Sequence, residues 1–299
     1  FGIMSGITLV LTPSITRSYI DTSSLTASLA RRSAVSGIAA MLGAVIGGYL
    51  IHATDPGIGI VANGLLTLPL VIFVICVRPV ASLKPVRTHP NPMHDIFSRL
   101  RNSPQLQRVT VMSVAMTLLV TPLITMIVPI LNDLDHAPLP SGAGLVLAGV
   151  AAGRILVPYL TKRLLKRRQE LAAASLAAIW ASGIMIMFAA SALIPLSDFD
   201  LVVWTIIGFG FGASRFTFRP LLFTAAAKSG AEGDEIVNIA TITTIGTFVS
   251  PVGVLFWGFM IEYIGAPLTV AGCAVASIAV VLVLAGLRCF GGGREGDSG

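Results

Sequence analysis

Residues 142–168 read GAGLVLAGVAAGRILVPYLTKRLLKRR, and this stretch indicates the fold of the whole chain. Residues 142–161 are mostly apolar, and as a helix they are long enough to cross a hydrocarbon core of ~30 Å. Five of the seven residues that follow are Lys or Arg. An apolar run of about 20 residues that ends in a basic block is typical of a helix spanning a membrane.

The same alternation continues along all 299 residues. Hydrophobic residues make up 55% of the chain and charged residues only 11%, whereas ~25% charged is usual in soluble domains. The sequence therefore predicts an all-α membrane protein in which apolar helix faces contact the lipid bilayer. The nine predicted spans are 1–16, 33–52, 57–77, 109–131, 142–161, 171–194, 201–222, 236–261 and 266–287.

The distribution of charge predicts the orientation of these spans. All 20 Lys and Arg lie in alternate loops or in the adjoining parts of spans. Basic loops face the cytoplasm in membrane proteins, so the C-terminus is expected there. We expect an integral protein of a bacterial cytoplasmic (inner) membrane.

Other features exclude several classes of function. The net charge of +6 comes from short blocks between apolar runs, which does not favour nucleic acid as a partner. The three cysteines show no CxxC spacing, so we expect no metal site. The glycines at 208, 210 and 212 follow no strand, so we expect no nucleotide cofactor.

The first three spans resemble the last three. Gly43 and Gly48 in span 33–52 correspond to Gly253 and Gly258 in span 236–261, at an offset of 210 residues. Parallel repeats of six helices are a known transporter architecture. The repeat predicts a parent of twelve helices, of which this N-terminally truncated chain holds the fourth to the twelfth. Its parts would be the rest of the first half (1–77), a cytoplasmic central loop (78–108), and the second half with a short tail (109–299).

Two motifs carry a resemblance to a known family. Residues 43–48, Gly-Ala-Val-Ile-Gly-Gly, are similar to the antiporter motif Gly-Pro-x-x-Gly-Gly, with Ala44 in place of proline. The loop 158–168 resembles the motif Gly-x-Leu-x-Asp-Arg-x-Gly-Arg-Arg: it keeps Leu160, Arg163 and the basic end, but Lys162 replaces the acid. The chain thus resembles the major facilitator superfamily, and most of all the exporters related to enterobactin and macrolide efflux proteins.

The resemblance implies a gate between span 33–52 and span 142–161. Small residues allow two helices to approach closely, and we expect them at this gate. Generic packing of the bundle is the alternative interpretation of the same residues. The residues predicted to form the gate or its packing are Gly43, Gly47, Gly48, Gly149, Gly153, Arg154 and Arg163.

Polar stripes predict a substrate cavity. Thr117, Thr121 and Thr125 recur at a spacing of four, which places them on one helix face. In the family, the helices that carry such stripes border a central cavity. The same interpretation applies to Thr8, Thr12 and Thr244. The alternative is that each hydroxyl bonds a carbonyl of its own helix.

Arg215 lies deeper in its predicted span than Arg219, which follows it by four residues. We expect it to line the cytoplasmic half of the cavity and to favour substrates with an acidic or electron-rich group, because burying an unpaired Arg in a span is costly. In the alternative, it only bonds carbonyls near the helix end.

Together these features predict a secondary transporter that exports a small amphipathic molecule and is not an enzyme. A membrane scaffold or sensor of the same fold, and an importer, are the alternatives. Coupling to protons stays open, because no Asp or Glu lies within a predicted span and Glu262 stands just beyond the outer end of span 236–261.

Overall fold

A computed structural model describes residues 22–53, 98, 100–133, 140–193, 200–229 and 234–291. Regular structure in these ranges is helical. The elements are α1 (Thr22–Ala53), α2 (Pro104–Ala115), a π-helical turn (Met116–Val120), α3 (Pro122–Asp133), α4 (Pro140–Gly153), a 3₁₀ turn (Arg154–Leu156), α5 (Val157–Leu165), α6 (Glu170–Ser191), α7 (Asp200–Ala227), α8 (Glu235–Ile264) and α9 (Ala266–Gly291).

Seven stretches of the described residues are long and apolar enough to cross a membrane. They are Leu25–Gly47, Pro104–Leu131, Gly142–Leu165, Glu170–Ser191, Leu201–Ala227, Glu235–Ile264 and Ala266–Ala285. Each corresponds to a predicted span. The predicted spans 1–16 and 57–77 lie outside the described residues, so the count of nine spans in a fold of twelve stays a prediction.

Two predicted boundaries differ from the structure. Helix α1 begins at Thr22 rather than at residue 33, so Arg31 and Arg32 lie in a helix and not in a loop. Its 32 residues are ~48 Å long, which exceeds a hydrocarbon core of ~30 Å, and long Arg side chains can reach out of the core. The predicted loop 78–108 extends into α2, which begins at Pro104 because the Ser103 hydroxyl accepts a hydrogen bond from the Leu106 amide.

Two prolines interrupt the spans. Proline has no N–H and its ring excludes the carbonyl four residues earlier. Before Pro122 the helix widens into the π-helical turn, in which the Thr121 amide donates to the Met116 carbonyl at 2.9 Å. Before Pro158 it tightens into the 3₁₀ turn, in which the Val157 amide donates to the Arg154 carbonyl.

Helix α7 is central in the described bundle, where it packs along α4 and α6. Its contact with α4 depends on glycines, because a Cβ on Gly212 would overlap the Val150 carbonyl oxygen and one on Gly153 would overlap that of Phe209. Helix α1 packs across α4, α5 and α7, helix α9 packs on α6, and α8 packs on α2, α3 and the π-helical turn.

The ends of several helices meet at one end of the bundle. There Lys228, just after α7, forms a salt bridge of 2.5 Å with Glu170 at the start of α6. The hydroxyls of Thr26 and Thr224 share a hydrogen bond between α1 and α7. Because the basic segment 162–168 belongs to the same end, we call it the basic end. The charge pattern predicts that it faces the cytoplasm.

Candidate functional site

A charged side chain lies inside the bundle at Arg215 of α7. Its Nη2 donates a hydrogen bond of 2.7 Å to the Thr121 hydroxyl. That hydroxyl in turn donates to the Met116 carbonyl at 3.0 Å. A chain of hydrogen bonds therefore runs from a guanidinium on α7 to the π-helical turn. It joins two residues, Arg215 and Thr121, that the sequence predicts to contact substrate.

The π-helical turn positions Thr121 for this contact. The Met116 carbonyl accepts from both the Thr121 amide and the Thr121 hydroxyl. The hydroxyl donates its only proton there, so it meets Arg215 as an acceptor. π-Helical turns of this kind occur frequently at functional sites.

The hydrogen-bonding capacity of Arg215 is only partly satisfied. Its Nε is buried and has no hydrogen-bond partner among the described residues. No carboxylate in the described ranges forms a salt bridge with it, and the ring of Phe218 lies 5.7 Å from Cζ. Arg215 stands twelve residues before Ala227, the end of α7, which is ~18 Å along the helix. The cost of an Arg at the centre of a span is roughly 2.5–3.5 kcal/mol.

A second arginine lies between α1 and α7. Arg154, in the 3₁₀ turn after α4, donates from Nη2 to the Ser36 hydroxyl on α1. Its Cζ lies 4.1 Å from the ring centre of Phe216 on α7, within the range of a cation–π contact. Its Nε is buried and unpartnered among the described residues. The turn before Pro158 sets the position of this side chain.

Arg32 and Arg219 carry further charge next to Arg154. Arg32 precedes Ser36 by four residues on α1, and Arg219 follows Phe216 by three on α7, so each lies one turn from a residue that Arg154 contacts. Arg32 and Arg219 thus flank Arg154 on the two helices that hold it. We call Arg32, Arg154 and Arg219 the arginine cluster. It lies nearer the basic end than Arg215.

The predicted pairing of glycine surfaces is not what the structure has. Gly149 and Gly153 face α7, where an added Cβ would meet the backbone of Thr205 or Phe209. Gly43 and Gly47 have no neighbour within 4 Å among the described residues. The surroundings of Gly48 lie outside the described part. Helix α1 instead meets the span of Arg154 through Gly37, where a Cβ would lie 2.8 Å from the Ala151 carbonyl oxygen.

The other predicted threonines are not brought to Arg215 by any described contact. Thr125 is exposed and donates to the Pro122 carbonyl at 2.9 Å, as the alternative interpretation expects. Thr117 is half-buried, 3.7 Å from the position of a Cβ on Gly246, and Thr244 is half-buried on α8. Thr8 and Thr12 lie outside the described residues. Arg163 is exposed on α5.

Sequence reasoning missed three parts of this region. Ser36 and Phe216 hold Arg154, but no local motif marks either residue. The π-helical turn was missed as well, although Pro122 directly after Thr121 was a signal for it. Finally, a narrow apolar gap lies between α3, α4, α6 and α7, lined by residues that include Leu123, Ile127, Val150, Phe188 and Phe211.

Comparison with known families yields one match. The family model described as Major Facilitator Superfamily matches residues 1–233 of the 299-residue chain. Comparison with curated proteins yields no match. The family model covers most of the residues described above, including Arg154, Arg215 and Thr121.

Proposed function

Because the chain belongs to the major facilitator superfamily, and is thus an integral membrane transporter, we propose that it exports a small amphipathic molecule bearing an acidic or electron-rich group. The bilayer supplies the medium from which such a molecule can enter, since its apolar part partitions into lipid. No covalent chemistry is needed, because net movement can be driven by a gradient.

The hydrogen bond between Arg215 and Thr121 carries this proposal. A guanidinium inside a span is stabilised by an internal acceptor, by water or by an anionic ligand. Thr121 supplies one neutral acceptor, and the buried Nε has none among the described residues. An anionic group on the substrate would supply the missing acceptor, and a charge-assisted hydrogen bond is stronger than a neutral one.

The packing of α1 supports alternating access as the mechanism. Between Leu25 and Gly37 this helix has buried residues, among them Leu29 and Ala30. Its large apolar side chains are exposed on one face, with Val35 and Tyr49 each 69% exposed. Around Gly37 helix α1 packs closely on α4, and near the basic end Thr26 bonds Thr224 of α7. These contacts would close the path at the basic end and break when that end opens.

The predicted residues have distinct parts in this mechanism. The contacts of Gly37 and Arg154 with their partners would break when the basic end opens. Gly43 and Gly47, which meet no described residue, would then pack against another helix of the moving half. Thr117 and Thr244 are proposed to line the path.

Transport measurements in membrane vesicles test the proposal. Cells expressing the full-length protein yield everted and right-side-out vesicles. These are supplied with amphipathic dyes of matched size that carry a carboxylate, a sulfonate or an ammonium group. Export predicts accumulation in everted vesicles, with preference for the anionic dyes. Accumulation confined to right-side-out vesicles would indicate an importer, and no protein-dependent flux in either would favour a scaffold or sensor.

A further inference from the structure

We infer that the arginine cluster of Arg32, Arg154 and Arg219 is a second anion site, which binds a phosphate-type oxyanion near the basic end of the bundle. Its member Arg219 lies one turn of α7 from Arg215, but the Arg215 guanidinium bonds Thr121 whereas Arg154 bonds Ser36. The inference does not depend on the proposed direction of transport or on the proposed substrate.

Arg154 is held rigidly enough to form the centre of such a site. Its guanidinium is fixed from one side by the Ser36 hydroxyl on α1 and from another by the ring of Phe216 on α7. An arginine whose plane is already oriented loses less conformational freedom when it binds an oxyanion. The two contacts use one N–H and one face of the group, so most of its five donors stay available.

The two flanking arginines come from different helices. Arg32 lies one turn before Ser36 on α1, and Arg219 lies one turn after Phe216 on α7. Both are displaced towards the basic end from the residues that fix Arg154. Two helices and the 3₁₀ turn thus present guanidinium groups around one region, and Cζ of Arg219 lies 5.3 Å from the ring centre of Phe223 on α7. Three forked donors can supply the several oxygens of a phosphate group better than the two oxygens of a carboxylate.

Among the described residues, no counter-charge pairs with the cluster. Arg154 and Arg219 are half-buried, and the Nε of Arg154 is buried without a partner among the described residues. Within the same ranges no carboxylate forms a salt bridge with any of the three. The like charges of half-buried Arg154 and Arg219 repel each other more strongly than they would in water, and an anion between them would offset that repulsion.

The depth of the cluster suits a phosphate that comes from the membrane surface. Arg219 lies eight residues before Ala227 at the end of α7, a distance of ~12 Å along the helix axis. Helix α7 has 28 residues, so its length exceeds the ~30 Å thickness of the hydrocarbon core by ~12 Å in all. If that excess is shared between both ends, Arg219 lies ~6 Å inside the core, within reach of a headgroup phosphate. Arg32 is exposed, so an anion can reach the cluster from outside the described bundle. A phospholipid headgroup or a soluble phosphate could supply this chemistry.

Binding by the full-length protein in detergent tests the site without any transport. In one arm, native mass spectrometry compares retention of phosphatidylglycerol with that of phosphatidylcholine. In the other, titration calorimetry follows pyrophosphate in the absence of lipid. The variants are Arg154→Gln, Arg154→Lys and Arg219→Gln. The control is Arg31→Gln, an exposed arginine adjacent to Arg32 in sequence but on a different face of α1.

We expect the wild-type protein and the Arg31→Gln variant to bind at least one of the phosphate compounds with the same affinity. The affinity of Arg154→Gln and of Arg219→Gln for that compound should be about tenfold weaker. Arg154→Lys keeps the charge but loses the fork, so it should be intermediate. Binding only in the lipid arm identifies the headgroup as the source, and binding only in the calorimetric arm identifies a soluble phosphate.

Absence of binding in both arms overturns the inference, as does an equal loss of affinity in Arg31→Gln and Arg154→Gln. Melting curves show whether each variant folds. If Arg154→Gln does not fold, Arg219→Gln replaces it in the comparison, and wild-type affinity in Arg219→Gln then overturns the inference.

Discussion

The close contact between α4 and α7 can be tested by adding one methyl group to Gly153. In Gly153→Ala, the new Cβ would overlap the Phe209 carbonyl oxygen and would lie 2.6 Å from the Ala213 amide nitrogen. Both are backbone atoms in the interior of α7, so neither can rotate away as a side chain could. Helices α4 and α7 must therefore move apart.

The size of this effect follows from the distances. Ordinary contacts of a Cβ begin at 3.4 Å, so the helices must separate by roughly 1 Å or more along much of their interface. Forcing an extra methyl group into a packed core costs about 1–3 kcal/mol. For a protein of this size, 1 kcal/mol lowers Tm by about 2 °C, so we expect a decrease of about 2–6 °C.

Gly183→Ala is the matched control for this measurement. Gly183 lies within α6, and an added Cβ there has no neighbour within 4 Å among the described residues. Since alanine favours a helix by up to ~1 kcal/mol over glycine, this variant should melt at the wild-type temperature or slightly above it. Unfolding is followed by circular dichroism in detergent. The reasoning is refuted if Gly153→Ala melts at or above the temperature of Gly183→Ala.

Three further predictions concern other contacts. Thr121→Val removes the hydrogen-bond acceptor of Arg215 and should raise KM for an anionic substrate about tenfold. Thr121→Ser keeps the hydroxyl and should keep KM near the wild-type value, so equal KM values in the two variants would contradict this prediction. Lys228→Gln removes an exposed salt bridge with Glu170. Because such pairs contribute about 0–1 kcal/mol, Tm should decrease by less than about 2 °C, and a larger decrease in melting curves would contradict this prediction. Gly43→Leu should leave Tm unchanged, because an added side chain meets no described residue in this state, but it should reduce transport. Normal flux at normal expression would show that Gly43 is not part of the gate.

The seven described spans could be predicted from the sequence because hydropathy and positive charge both report on the membrane. The start of α1 could not. The predicted span 33–52 begins directly after Arg31 and Arg32, which places both arginines in a predicted loop. The structure instead begins the helix at Thr22, ten residues before Arg32, because a long helix can project beyond the core while its arginines reach the headgroups.

The partners of the candidate site residues could not be predicted for a different reason. Glycine spacing shows that Gly149 and Gly153 form a surface for close approach, but it does not name the helix that approaches. That choice depends on the packing of the whole bundle, which placed α7 there. Arg215 and Thr121 were each singled out by depth and by spacing. Their hydrogen bond, across 94 residues of chain, depends on the π-helical turn that reorients Thr121.

The most direct test of the proposed function is the charge selectivity of Arg215 variants in the full-length protein. Arg215→Gln and Arg215→Lys are assayed in everted vesicles with an anionic and a cationic dye of equal size, at matched expression. Transport of the anionic dye should be lost selectively in Arg215→Gln, by about tenfold or more in kcat/KM, and partly retained in Arg215→Lys. Equal transport of both dyes by wild type and Arg215→Gln would contradict the account and leave Arg215 with only the structural role of bonding Thr121.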